Sequence, residues 1–273
     1  MKNFYDLSQV NILITGSSGL LGSTYCKYFL KQGAHVIGID KSIDYKKFNL
    51  LSSEKKNLSL FECDITNEQQ IKDLFKKNSK KFNKLTVLIN NASYLKQISS
   101  KNESDFYKDF LKSSKSDWED FIAVDITGSL LISKYCIPIM KKNHGGKIVN
   151  ISSTYGILSP DQRLYESIGN NGKRKSKIQK PIGYSISKSA IINLTRYLST
   201  LYAKNNIRVN TLTLGGVYAK NPKSFVKAYS SRTPLARMAS KEEYCGPLHF
   251  LISDASSYMT GSNLIVDGGW SSW

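Results

Sequence analysis

The chain is short of the residues that build disulfide or metal frameworks. Among 273 residues there are four cysteines and three histidines. Cys26, Cys63, Cys136 and Cys245 are scattered, with no Cys-x-x-Cys pair. Such cysteines read as small core residues in a reducing compartment, and no metal is expected. No apolar run in the sequence approaches the ~20 residues of a membrane span. Residues Met1–Val10 lack the apolar centre of a secretory signal. The expected location is the cytoplasm, with no membrane partner. Acidic residues are also scarce, 21 against 39 lysines and arginines, for a net charge of +18. The basic residues are spread along the chain with no nucleic-acid motif, so they read as a solvated surface rather than a nucleic-acid footprint. Their summed field still favours anionic small molecules.

Short apolar runs alternate with helical patterns. The runs are Val10–Thr15, His35–Asp40, Ser59–Glu62, Leu85–Asn90, Lys147–Ser152, Arg208–Leu214 and Asn263–Val266. Continuous Val, Ile and Leu suits strands buried on both faces, as in a parallel sheet. Helices are expected at Leu20–Gln32, ending at Gly33, and at Glu68–Asn78, capped by Thr66. Two longer ones are expected at Asp117–Lys142, capped by Ser116, and at Tyr184–Lys204, with apolar Ile191, Leu194, Leu198 and Leu201 on one stripe. Gln97–Ser116 reads as a polar loop with a short helix. Pro160–Pro181 is a long basic stretch carrying Lys173, Arg174, Lys175, Lys177 and Lys180. Loops of that length are usually functional or disordered. With no repeat and no linker, residues 1–273 are expected to form one domain.

Gly16, Gly19 and Gly22 lie between the first strand and the first helix. A turn of this kind lets the backbone approach a pyrophosphate, and the helix N-terminus offers it free N–H groups and a positive dipole end. Gly16, Ser18, Gly19, Leu20 and Leu21 are the candidate phosphate cradle. Asp40 ends the second strand, 24 residues after Gly16. A carboxylate there accepts from both ribose hydroxyls and repels a 2′-phosphate, so NAD is favoured over NADP, a preference softened by neighbouring Lys41. Asp64, with Ile65, stands after the third strand, where an adenine edge would rest; Asp64 is equally a capping acid. Asn91, Ala92 and Ser93 follow the fourth strand, where the asparagine amides either tie strand ends together or line the cofactor.

Tyr184 and Lys188 are four apart and share a helix face. A phenol with a free pKa of about 10 is a poor acid–base group unless a cation favours its phenolate. An ammonium one turn away does so. Ser153, directly after the strand Lys147–Ser152, can donate a hydrogen bond to a substrate oxygen.

In order along the chain stand Thr15-Gly-Ser-Ser-Gly-Leu-Leu-Gly22, Asn90-Asn-Ala92, Ile151-Ser-Ser153, Tyr184-Ser-Ile-Ser-Lys188, Ile207-Arg-Val-Asn210 and Val266-Asp-Gly-Gly269. Together they resemble the short-chain dehydrogenase/reductase family over nearly the whole chain. The resemblance implies an α/β fold, a Rossmann-type doubly wound parallel sheet of about seven strands with helices on both faces. It implies that Tyr184 is the acid–base, that Lys188 binds the nicotinamide ribose and tunes Tyr184, and that Ser153 orients the substrate. Gly215 and Val217 would bound the nicotinamide.

Three departures stand out. Where the family has a fourth catalytic residue, an asparagine, this chain has Asp125. An aspartate there could hold a relay water, yet at about 6 Å and an effective dielectric of about 20 it would act on Lys188 and Tyr184 with about 3 kcal/mol, stabilising the ammonium and opposing the phenolate. Leu214 stands where Pro is usual before Gly215. The stretch from Ser153 to Tyr184 is long, so residues 159–181 are expected to cover the substrate pocket. With Ser153-Thr-Tyr-Gly156 and Asp267-Gly-Gly-Trp270, this resembles a branch found in flagellin-modification and nonulosonic-sugar pathways.

The expected activity is hydride transfer between NAD(H) and a secondary alcohol or ketone, on a sugar or nucleotide sugar that would be anionic if the basic stretch binds it. Acyl-carrier-protein thioester reduction and a non-catalytic NAD-binding scaffold are the alternatives. Excess apolar residues on the two long helices, which pair subunits in the resembled family, imply a homodimer or homotetramer. Trp270 and Trp273 either pack in the core or meet a neighbouring subunit.

Overall fold

The computed structural model describes residues 3–8, 10–94, 109–165 and 179–273. The strands are β1 (Asn11–Thr15), β2 (His35–Asp40), β3 (Leu58–Glu62), β4 (Val87–Asn90), β5 (Gly146–Ser153), β6 (Ile207–Leu214) and β7 (Asn263–Val266). They form one sheet in the order β3-β2-β1-β4-β5-β6-β7, and every pairing is parallel. Parallel neighbours require a crossover between strands, and the crossovers are helical. The helices are α1 (Leu20–Lys31), α2 (Glu68–Lys77), α3 (Ser116–Lys142), α4 (Ile182–Tyr202), α5 (Lys223–Ser230) and α6 (Cys245–Ile252), with single helical turns at Ser52–Lys55 and Ser79–Phe82.

Alternation along the strands divides the core into two layers. Ile12 and Ile14 of β1 face Tyr25, Cys26 and Phe29 of α1 and Leu248, Leu251 and Ile252 of α6. Leu13, one residue over, faces the opposite layer with Ile71 and Phe75 of α2 and Ile132, Cys136 and Met140 of α3. Each fully buried aliphatic of this kind contributes roughly 1.5–3 kcal/mol. All four cysteines are free and buried.

Several boundaries differ from the sequence reading. The cap of α2 is Asn67, whose side chain accepts from Gln70 N–H at 3.1 Å; Thr66 instead bonds Asp64. Ser116 is the first residue of α3 rather than its cap, and Asp117 braces the preceding turn by accepting from Ser114. Helix α4 begins two residues before Tyr184, directly after Pro181. Its buried stripe runs through Ser187, Lys188, Ile191 and Leu198, while Leu201 is exposed. The segment Ile122–Gly128 within α3 is a π-helical stretch. At 27 residues, α3 is long and apolar enough to pass for a membrane span by length and composition. Its buried face, however, belongs to the second core layer.

The stretch 159–181 is not a uniform loop. Leu164 and Tyr165 on its first leg are buried beside Phe225, Tyr229 and Trp270. Trp270 stacks on Tyr229 with ring centroids 4.4 Å apart, a core role, whereas Trp273 is exposed. Lys173, Arg174, Lys175 and Lys177 lie outside the described residues, as does most of the loop expected at Gln97–Ser116.

Candidate active site

The strand order reverses between β1 and β4, so the connections leaving their carboxyl ends run to opposite sides and open a crevice, the usual ligand position in such sheets. The turn after β1 occupies it. Gly16 has φ +66°, and a Cβ there would lie 2.8 Å from the Ala92 Cα. A Cβ on Gly22 would overlap the Gly16 carbonyl oxygen. The turn therefore tolerates no side chain at either point, and α1 starts hard against it. Gly19 at the N-cap places no side chain over the helix end. The first N–H groups of α1, those of Leu20 and Leu21, point out of the helix without an intrahelical acceptor. This cradle of bare backbone and positive helix end fits a pyrophosphate.

Asp40 closes β2 beside this turn, and its Oδ2 accepts from Ser18 N–H at 2.8 Å. The carboxylate is thereby held at the edge of the cradle. Lys41 turns away and pairs with Asp64 at 3.0 Å. Burial disfavours the Asp64 charge, but bonds from the Thr66 hydroxyl and N–H and from Lys41 outweigh it and hold the carboxyl below its usual range. The capping alternative for Asp64 is thus the one seen, applied to the turn at Thr66. Ile65 is buried against Gly128 of α3. Asn91 ties strand ends together: its Nδ2 donates to the carbonyls of Thr15 and Gly16 at 2.9 and 3.2 Å. The neighbouring Ala92 N–H donates to the Thr15 hydroxyl.

On the other side of the crevice, α4 packs along β5. Lys188 is buried, and its Nζ donates to the Ile151 carbonyl at 3.2 Å, two residues before Ser153. In return the Ser152 hydroxyl donates to the Lys188 carbonyl at 2.8 Å. These bonds lock the helix face carrying Tyr184 and Lys188 to the end of the strand carrying Ser153. Ser153 is buried, and its Oγ accepts from Tyr155 N–H, leaving its proton available. The Tyr184 ring stands edge-on to Phe121 and Tyr155.

Asp125 is not at a distance from this group. Its Oδ2 lies 3.2 Å from Lys188 Nζ and accepts from the hydroxyls of Ser93 and Ser187 at 3.0 and 2.9 Å; its Oδ1 accepts from Tyr94 N–H at 2.9 Å. The separation of about 6 Å expected from sequence is therefore too long. Three of its four donors meet Oδ2, and Oδ1 receives one. Asp125 lies within the π-helical stretch, on its buried face with Gly128. Ser93, a candidate cofactor contact, is committed to this carboxylate.

The residues after β6 wall the crevice. Gly215 N–H donates to Val266 O, Gly216 N–H to the Tyr229 hydroxyl at 2.6 Å, and Val217 bridges to Ala239. Sequence reasoning missed Tyr229, Ser187 and Tyr94, for which a lone residue type carries no local signal. It also saw Lys180 only as part of a basic run. Lys180 Nζ lies 4.2 Å from the Tyr184 ring centroid. Beside it opens a cavity of about 610 Å³, lined by Trp118, Tyr155, Gln162 and Lys180 among others.

A profile described as short chain dehydrogenase matches residues 10–166, and one described as Enoyl-(Acyl carrier protein) reductase matches 172–271. The chain belongs to the short-chain dehydrogenase/reductase family. It is 27% identical to the post-translational flagellin modification protein A of Campylobacter coli, covering 95% of this chain and 97% of that one. It is 28% identical to the NADH-dependent L-xylulose reductase of Ambrosiozyma monospora, covering 96% and 93%. Among solved structures it resembles a short-chain dehydrogenase of Leptospira borgpetersenii with bound NAD+, at 31% identity, TM-score 0.82 and coverage of 99% and 96%. A gluconate 5-dehydrogenase of Burkholderia cenocepacia in complex with NADP and tartrate shares the fold at 22% identity, TM-score 0.81 and coverage of 99% and 98%. Members of this oxidoreductase family bind a nicotinamide cofactor, and the cradle described above suits its pyrophosphate.

Proposed function

We propose that this short-chain dehydrogenase/reductase uses NAD(H) to interconvert a secondary alcohol and a ketone on a sugar or nucleotide sugar carrying negative charge. The observation that carries the reading is the joining of Tyr184, Lys188 and Ser153 by the bonds between α4 and the end of β5, across the crevice from the glycine turn. When bound, the nicotinamide supplies or accepts the hydride. Tyr184 gives or takes the proton at the substrate oxygen, and Ser153 donates a hydrogen bond to that oxygen. Lys188 uses two of its N–H positions on Asp125 and Ile151, leaving the third for a ribose hydroxyl.

Asp40 supports NAD over NADP, and Lys41 is drawn to Asp64, while Lys47 Nζ stays at the cradle edge, bonded to the Ser18 carbonyl at 2.7 Å. The NADH-dependent xylulose reductase and the NAD+-bound Leptospira structure agree with this preference. The xylulose reductase supports a sugar substrate, and the high net positive charge with the half-buried Lys180 supports a negatively charged one. The stretch 159–181 would border the substrate, and exposed Ile186, Tyr197 and Leu201 on α4 with Leu130 on α3 would be covered in a homodimer or homotetramer. The match of residues 172–271 to an acyl-carrier-protein reductase profile favours that activity as the second reading.

Reduction of NAD and NADP by sugar acids and nucleotide sugars, and oxidation of NADH and NADPH by 3-oxoacyl carrier-protein thioesters, test the proposal, with Tyr184→Phe as the control. Turnover of a sugar with NAD, lost in Tyr184→Phe, is the expected outcome. Oxidation of NADPH by the carrier-protein thioester instead would overturn it.

A further inference from the structure

The Tyr-x-x-x-Lys motif contains one ammonium, but the folded chain brings two to Tyr184. Lys180 Nζ lies 4.2 Å from the Tyr184 ring centroid, nearer than Lys188 Nζ at 5.8 Å. Lys180 is placed by its backbone. Its N–H donates to Gln162 Oε1 at 2.8 Å, so the two legs of the stretch 159–181 are joined there, and Pro181 then starts α4. A third tie comes from the neighbouring Gln179, whose Oε1 accepts from Phe110 N–H at 3.0 Å.

The two cations differ in what reaches Tyr184. Lys188 is neutralised at 3.2 Å by the buried Asp125, where the family pattern has an uncharged asparagine. The pair presents a short dipole rather than a charge. Lys180 has no carboxylate within ion-pair distance among the described residues, and the one charge that acts on it appreciably is Lys188. Desolvation first, and then the like charge of Lys188, pushes its ammonium down to about 8, so it carries its charge at neutral pH.

We infer that Lys180 is a positioning residue for the Tyr184 proton, supplying the net positive charge that Asp125 withdraws from Lys188. The departure at Asp125 and the long stretch before Tyr184 then form one arrangement. The carboxylate fixes Lys188 in place, and the stretch restores the field that this fixation cancels. The other titratable groups facing Tyr184 do not compete for this role. The phenols of Tyr155, after β5, and Tyr229, on α5, are raised by burial, Tyr229 to about 12, and stay neutral in the working range. Phe121 of α3 brings no charge, and Asp117 of that helix, which lines the same cavity as Lys180, accepts from the N–H and hydroxyl of Ser114. Asp161, which acts on Tyr155, is neutralised by Arg163 and Arg232.

The inference rests on Tyr184 as the acid–base of the proposed reaction, but its test needs no substrate. The chain has 16 tyrosines, and ultraviolet titration of the whole protein minus that of Tyr184→Phe isolates the Tyr184 phenol. In Lys180→Gln this signal should move to higher pH by about two units, the effect of a unit charge at about 6 Å with an effective dielectric of about 20. Lys180→Arg should leave it close to the parent. Asp125→Asn should move it to lower pH, and Asp125→Asn with Lys180→Gln should return it toward the parent. A signal that stays in place in Lys180→Gln, or that moves as far in Lys180→Arg, overturns the inference. Expected titrations with no alcohol or ketone turned over would overturn the proposed reaction and leave this inference standing.

Discussion

Asp125 and Lys188 form an ion pair at 3.2 Å with almost no solvent access, and every oxygen of the carboxylate has a protein donor. A buried pair of this kind adds little over two apolar side chains, but losing one partner strands the other charge. Asp125→Ala should therefore destabilise the fold by about 3–5 kcal/mol, measured by urea denaturation at neutral pH. Lys188 also loses its counter-charge in Asp125→Asn, so the pH–rate profile should move to lower pH. A profile that does not move would show that the pair has no influence on proton transfer.

Tyr184→Phe removes the exchangeable proton and keeps the ring that packs against Phe121 and Tyr155. Turnover should fall by about 10²–10⁴-fold, the usual worth of a positioned acid–base group. NADH binding, followed by fluorescence, should be retained. Loss of both together would mean that the hydroxyl holds the cofactor rather than moving the proton.

Asp40 is held at the cradle edge by Ser18 N–H. Asp40→Ser should weaken NAD binding by about tenfold, the loss of one charge-assisted hydrogen bond of roughly 1.5 kcal/mol, and narrow the difference between NAD and NADP. Dissociation constants for both cofactors measure this. An unchanged ratio would remove Asp40 from cofactor choice.

Lys180 holds its proton less tightly in the folded chain than in the unfolded one, because burial and then Lys188 push it down to about 8. Between about 8 and the unfolded lysine value near 10.4, the unfolded chain binds more protons, so the contribution of this residue to stability rises with pH. Below pH 8 the penalty is present in full. Relative to the parent, Lys180→Met should be favoured most at pH 7 and lose that advantage by pH 10. Denaturation midpoints at the two pH values test the sign, and a relative advantage that grows with pH would contradict it.

Tyr229 accepts from Gly216 N–H at 2.6 Å and stacks on Trp270, which joins the cofactor-side wall to the aromatic cluster. Tyr229→Phe keeps the stack and strands the Gly216 N–H. Stability should fall by about 1–3 kcal/mol, and the KM for the cofactor should rise more than that for the substrate. Equal changes in both would place Tyr229 in the core alone.

The strands, the glycine turn, Asp40 and the pair Tyr184–Lys188 were legible in the sequence because each rests on a local rule. Buried parallel strands read as aliphatic runs, Gly16 must adopt a left-handed φ, and residues four apart share a helix face. Boundaries were less legible: α4 starts at Ile182 and α2 is capped by Asn67, where neighbouring residues compete for the same role. Lys180, Ser187, Tyr94 and Tyr229 left no such local mark. Their partners lie far along the chain or on the backbone of another element, and a hydrogen bond needs contact within about 3 Å, which spacing alone does not reveal. Asp125 shows the division most clearly. Its identity and its place in the motif were plain from the residues, but its distance from Lys188 was set by the packing of α3 against α4. That contact and the approach of Lys180 to 4.2 Å from the Tyr184 ring set the charges around the tyrosine, because electrostatic strength depends on separation and burial, and only the folded chain has either.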